Sequence, residues 1–370
     1  MKVKLSEILE KYSDLTTLYS GPKDAEIERP CSMEHPLSGA IAYIAKAEFI
    51  KPCIEKPVGA IVITPQLKDK IPDDPHIPVL VANHLHKAMA LINEHFFPVR
   101  NFPRHFDGHS IHPSAVISSQ AKIANDVTLG ANVVIEEGAE IARGVRIGSN
   151  TSIGAFAKIE SDVIIGANAV IEAHCRIGAK SYIHASVFIG HHCQLGKECV
   201  VQAQSAIGSD GFGYATDEFH HHYHKPHYGR VVLDDRVEIG SGVFVDRGAY
   251  EDSMIGEGTK IDNFCHFGHN LKIGKNCLIV SGMIAAGSVT IGNNCIFGGR
   301  VTINGHIEIC DNAVVGPMSG VSNSIKEPGQ YGGWPLQSYK EAIKTVATLR
   351  HLNQMKKDIH QLKKEIRRDS

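Results

Sequence analysis

Two histidines three residues apart, His266 and His269 in "IDNFCHFGHNLKIG", carry rings that take up or give a proton near neutral pH, with an unperturbed pKa of about 6.5. Which of them does chemistry depends on what the chain sets beside each. The surrounding period bears on that question. Steps of six from Ile111 meet Ile, Leu or Val without a miss as far as Ile207, and a second frame runs from Ile255 through Ile261, Phe267 and Ile273 to Val315. A helix needs a period of about 3.6 and a flat strand one of about 2, so a strict six is the signature of a hexapeptide β-solenoid whose first residue points inward.

If three hexads close one coil, residues eighteen apart lie above one another at about 4.8 Å, the spacing of paired strands. His266 then takes the sixth place of its hexad and His269 the third of the next, on different faces around a corner. Above His269 come Gly287 and Gly305, with His306 following Gly305. An imidazole, a bare backbone N–H and a second imidazole along one edge suit acyl transfer to an amine. The first imidazole takes the proton of the attacking amine. Glycine lets an acyl carbonyl approach the backbone, so that the Gly287 N–H can stabilise a tetrahedral oxyanion. His306 can orient the donor or share that oxyanion. Asp262, one hexad earlier, can fix the tautomer of His269 if the corner turns it inward, and Asn270 can serve similarly. A solenoid with 22 histidines also stacks some for packing alone.

Composition narrows the classes. The 370 residues hold 38 Lys plus Arg against 40 Asp plus Glu, which excludes the overall basic field of a nucleic-acid or membrane-surface binder. The opening "MKVKLSEILEKYSDL" lacks an uninterrupted apolar core, so neither a signal peptide nor a membrane span is expected, and the compartment is read as cytoplasmic. Of nine cysteines, six (Cys175, Cys193, Cys199, Cys265, Cys277 and Cys295) fall on the fifth hexad position, otherwise held by Ala, Val or Thr. That placement favours small buried packers over nucleophiles or ligands.

Three further regions flank or interrupt the repeat. Residues 1–105 lack the period. An amphipathic start through Leu5, Ile8, Leu9 and Tyr12 predicts a helix, "AIVITP" and "IPVLVANH" predict strands, and "HKAMALINEHFF" a second helix, together a small α/β domain joined by the linker "FPVRNFPRHFDGHSIHP". The solenoid occupies 106–333, with a loop insertion at 209–232 that carries five histidines between His220 and His227. These are read as a solvated loop tip, and no metal is expected. From 334 to 370, Leu352, Met355, Ile359, Leu362 and Ile366 follow three-four spacing. That helical extension has nine Lys or Arg against four Asp or Glu from Lys340 onward, which fits a helix that joins copies of the chain, or a dock for an acidic protein.

The whole chain resembles the UDP-3-O-(3-hydroxyacyl)glucosamine N-acyltransferases of lipid A synthesis. The likeness is densest in "IGSDGFGYA", "GRVVLDDRVEIGSGVFVDRGA", "IDNFCHFGHNLKIG", "INGHIEICDNAVV" and "WPLQ". The resemblance implies a mainly β fold, a left-handed parallel β-helix of hexapeptide repeats with an N-terminal uridine-binding α/β domain and a C-terminal helical extension, assembled as a homotrimer. It implies that His269 is the general base, His306 the second site histidine and Gly287 the oxyanion donor. Acyl carrier protein would supply a 3-hydroxyacyl thioester on its 4'-phosphopantetheine arm, so no separate cofactor is expected. The acceptor would be the 2-amino group of a UDP-3-O-acylglucosamine. In the nucleotide motif, Tyr43, Lys46 and Phe49 stand where the family has an aromatic residue, Asn and Tyr. Tyr43 and Phe49 would sandwich uracil and Lys46 would meet the diphosphate, since an ammonium cannot accept a hydrogen bond as Asn does. Asn270 completes the substrate-binding set.

Three competing readings remain at this point. A related sugar-nucleotide O-acyltransferase or acetyltransferase would typically lack the domain before the coil. A hexapeptide-fold zinc enzyme of the carbonic anhydrase type would bind metal through His266, His269 and His191 or His192. An inert solenoid would not turn over at all.

Overall fold

The computed structural model describes residues 2–56, 58–98, 110–333 and 339–367. The chain divides into two compact units, Met1–Arg104 and His105–Ser370. The junction near 105 and the "WPLQ" motif lie outside the described residues.

In the first unit a five-stranded sheet runs in the order Thr16–Ser20, Val79–Ala82, Ala60–Ile63, Ala40–Ile44, Arg29–Cys31. Both strands expected from sequence are present. The fully buried "AIAYI" strand was not read from sequence, because a continuous apolar run has no alternation to reveal it. Helices α1 (Leu5–Lys11) and α3 (Leu85–Phe96) supply Leu5, Ile8 and Ile92 to one core cluster with Tyr43, Val62 and Leu80. Helix α2 (Ile50–Glu55) supplies Ile50 and Cys53 to the other, with Ala42, Ile44 and Ile61.

The second unit is a parallel β-solenoid. Its two-residue strands form three sheets of eleven, eleven and ten strands among the described residues. Strands eighteen residues apart pair directly, as Leu278 with Ile296 and Ile279 with Phe297. Three hexads therefore complete one coil. The inward column is closed to solvent: Ile147, Ile165 and Ile183 each show 0% exposure, and so do the six fifth-position cysteines. Burial pushes the Cys193 and Cys199 thiols up to about 11, so they stay protonated and inert.

From Asn132 onward most corners turn on a residue with positive φ, among them Asn150 at 60°, Asn168 at 58° and Asn270 at 60°. Asparagine tolerates this region better than most residues and here also stacks its amides, with Asn132 Nδ2 donating to Asn150 Oδ1 at 3.1 Å.

The stack is interrupted twice at one edge. Ala206 pairs with Phe244, thirty-eight residues on, because the strap 210–230 is extruded there. Phe244 pairs with His266, twenty-two on, because 247–252 adds a smaller loop. This second insertion was not foreseen. Its four extra residues and the strap's twenty make twenty-four, a multiple of six, so the repeat returns at Ile255 to the phase it left at Ile207. The chain ends in two helices, α4 (Tyr339–Leu349) and α5 (Leu352–Ile366). No described helix is long and apolar enough to cross a membrane.

A cavity in the inward column has nothing to fill it. Ile165→Ala is expected to cost about 3 kcal/mol, read as a lower urea midpoint for solenoid unfolding.

Candidate active site

The edge that carries both loops also carries His269. Its corner pair, His269 and Asn270, lies below the corners Gly287–Ser288 and Gly305–His306, joined by Ser288 N–H to His269 O at 2.8 Å and His306 N–H to Gly287 O at 3.2 Å. The structure thus brings His269, Gly287 and the His306 backbone to one edge.

The protonation of His269 follows from Asn270. The Asn270 Oδ1 position accepts from the Ala249 N–H at 3.1 Å. A backbone N–H can only donate, so the atom facing it is oxygen and the amide cannot be flipped. The same oxygen lies 2.8 Å from His269 Nδ1. Nδ1 must therefore carry the proton, and Nε2 keeps its lone pair. A Cβ built on Gly287 would lie 2.8 Å from both Nε2 and Cε1 of that ring, so the basic nitrogen faces the bare glycine backbone.

The Gly287 N–H has no acceptor among the described residues. At the neighbouring corners the equivalent groups are taken: Ser281 N–H donates to Asp262 Oδ2 at 3.1 Å and Asn293 N–H to Asp311 Oδ1 at 2.8 Å. Glu136, Glu160 and Glu172 likewise each cap the corner N–H nineteen residues on. The residue nineteen before Gly287 is Gly268, which has no side chain to offer. An imidazole nitrogen and an N–H without an acceptor therefore lie beside one another at this corner.

This arrangement corrects the expectation for Asp262. Its carboxylate caps Ser281 and Asn263 from an exposed position and is not the partner of His269 within the chain. Asn270 takes that role. The carboxylate that does stand near the site is Asp246, in "VDRGA", which sequence reasoning missed. Asp246 is buried, with Oδ2 3.9 Å from His266 Nε2. Burial raises its carboxyl to about 6, against the pull of the His266 and then the His269 imidazole. The signal was legible: an acidic residue in an inward-turning strand end one coil below the histidine.

The strap roofs the site. Arg247, only 2% exposed, anchors its base by donating from Nε to Gly208 O at 2.8 Å and pairing with the His191 ring. Gly208 adopts φ +91°, and a Cβ there would fall 2.3 Å from Cys193 Sγ, so only glycine lets the chain leave the coil. At the far end Tyr228 N–H donates to Ala249 O at 2.8 Å and Gly229 N–H to Gly248 O at 2.9 Å, tying strap to small loop. Between them His227 is buried, its ring 5.4 Å from that of His269. Desolvation first and the His269 imidazole second hold His227 below the usual histidine range, against Asp210 and the Lys225 carbonyl.

Other expectations fail on placement. Tyr43 is buried on the α1/α3 face of its sheet, its hydroxyl donating to Asn93 Oδ1 at 3.0 Å, whereas Phe49 packs against the cluster on the opposite face. They form no uracil sandwich in this structure, because alternation along the Ala40–Ile44 strand sends Tyr43 to the other side. Lys46 is exposed and 4.0 Å from Glu48. The zinc set His266, His269 and His191 is not assembled within the chain. His191 is held by Arg247 and Glu172, and among the described residues the one group able to hold a metal ion is Asp210, His224 and His227.

A repeat solenoid whose edge offers an oriented imidazole and a free amide defines a hexapeptide-repeat acyltransferase. The family models agree: bacterial transferase hexapeptide (six repeats) matches residues 144–179 and 252–282, and the hexapeptide repeat of succinyl-transferase matches 120–155, 169–208 and 288–316. The UDP-3-O-acylglucosamine N-acyltransferase of Methylococcus capsulatus is 33% identical over 99% of this chain and 98% of its own length. Enzymes of the same name from Desulfotalea psychrophila and Chlamydia pneumoniae are 50% and 47% identical, each over 44% of this chain and 47% and 45% of their own. The chain belongs to the UDP-3-O-acylglucosamine N-acyltransferase family and is an acyltransferase of lipid A biosynthesis.

Two outcomes are expected. Gly287→Ala displaces the His269 ring without strain elsewhere, and turnover falls by about two orders of magnitude while the melting temperature is retained. Asp246→Asn removes a carboxyl that burial raises to about 6, above the ordinary aspartate range. Wild-type stability relative to this variant declines as pH rises from about 4 to about 6 and is flat above, as melting temperatures across that window will show.

Proposed function

We propose that the chain moves a 3-hydroxyacyl group from acyl carrier protein to the 2-amino group of a UDP-3-O-acylglucosamine, with His269 as general base. The observation that carries this reading is the hydrogen bond that spends His269 Nδ1 on Asn270 and leaves Nε2 beside the Gly287 backbone. The amine nitrogen attacks the thioester carbonyl as Nε2 takes its proton, and the carbonyl oxygen gathers charge against the Gly287 N–H. Collapse of the tetrahedral intermediate breaks the C–S bond, and His269 returns the proton to the departing thiolate. Ionised Asp246 favours the transient imidazolium through its field. His306, on the corner above, orients the donor or shares the oxyanion.

The partners follow from chemistry rather than from contacts. The 4'-phosphopantetheine arm arrives as part of the carrier protein, so the enzyme needs no cofactor of its own. The exposed stripe Leu352, Met355, Ile359 and Leu362 on α5 suits association of three copies, and the Lys and Arg residues beside it suit an acidic carrier protein. The site then lies between neighbouring copies, in the cytoplasm where both substrates are made.

The test is product analysis by mass spectrometry with a UDP-3-acylglucosamine and a panel of 3-hydroxyacyl carrier proteins. N-acylated product is expected. His269→Ala should lower kcat by about two to four orders of magnitude with folding retained. Unchanged turnover in that variant, or acyl transfer to oxygen, rules the reading out.

A further inference from the structure

The strap holds a cluster that acyl transfer leaves unused. Asp210 opens it, His224 ends its hairpin strand His222–His224, and His227 lies on its return. One donor atom from each lies within 4.8 Å of the others. His224 Nε2 is 3.6 Å from Asp210 Oδ2, near the roughly 3.3 Å between two donors of a tetrahedral zinc ion. The other carboxylate oxygen, Oδ1, faces Arg247 Nε at 3.6 Å. Buried Arg247 therefore orients the carboxylate from behind and leaves Oδ2 toward the imidazole, the arrangement that outer groups impose on metal ligands.

A second observation points to a ligand. His227 is 6% exposed and its Nδ1 is buried with no hydrogen-bond partner among the described residues. An unsatisfied nitrogen on a buried ring is costly, and a cation bound through it would satisfy it. Asp210 and His224 are exposed, so an ion can enter from solvent.

We propose that Asp210, His224 and His227 bind a divalent transition ion of the zinc class, and that the ion fastens the strap beside His269. Two imidazoles and one carboxylate suit zinc, nickel or cobalt, whereas magnesium and calcium take oxygen donors. Three protein ligands leave the fourth position to water.

The experiment is calorimetric titration of zinc into the full chain after chelation. One ion per chain is expected, with affinity about a hundred-fold lower in His224→Ala and unchanged in a variant with His220, His221 and His222 all replaced by Ala. In parallel, zinc should raise the melting temperature of the wild type and leave that of His224→Ala unchanged. No stoichiometric binding, or binding lost in the triple variant and kept in His224→Ala, overturns the site. Binding without that rise overturns the fastening of the strap. Because calorimetry needs no substrate, failure of the acyl-transfer reading leaves the binding result interpretable.

Discussion

One oxygen atom settles what the rest of the edge can do. Asn270 Oδ1 is shared between the Ala249 N–H and His269 Nδ1, and because the first donor cannot be reversed, neither can the second. The imidazole is thereby presented as a base rather than as an acid. Asn270 holds this place because it stands at the positive-φ position of its corner, and Ala249 reaches it because the coil below is enlarged by a small loop. A regular solenoid would have put an ordinary corner there and left the ring free to turn.

The second constraint is an omission. At many corners an acidic or amide side chain caps the backbone N–H one coil away; at Gly287, as at the other corners that follow a glycine by nineteen residues, there is no side chain to cap with, and only at Gly287 does the uncapped group lie beside the His269 ring. The repeat supplies a rigid scaffold by satisfying most of its own donors, and the site arises where a donor it leaves over stands next to an imidazole. Buried Arg247, held by Gly208 O and the His191 ring, then ties the strap down over that edge.

Much of this was legible from residues alone. The six-residue period locates the core, and the eighteen-residue coil puts Gly287 and Gly305 over His269. What stayed hidden was the direction in which side chains leave a corner. Asp262 shares a coil with His269, but its hexad faces another sheet, and its carboxylate is spent on Ser281 and Asn263. Asp246 was passed over because its partner lies one coil up, across an insertion whose length the period does not report. Tyr43 and Phe49 are six apart in a motif, yet strand alternation and the turn that follows it send them to opposite faces. Period fixes stacking, and it leaves handedness of approach to local geometry.

The central claim is the tautomer of His269, and nitrogen NMR of the full-length protein with labelled histidine reads it directly, the resonance being assigned by its loss in His269→Ala. The account predicts a protonated Nδ1 and an unprotonated Nε2 in the resting enzyme at neutral pH, with that preference lost in Asn270→Ala. A resting His269 protonated on Nε2, or a tautomer indifferent to Asn270, would contradict it.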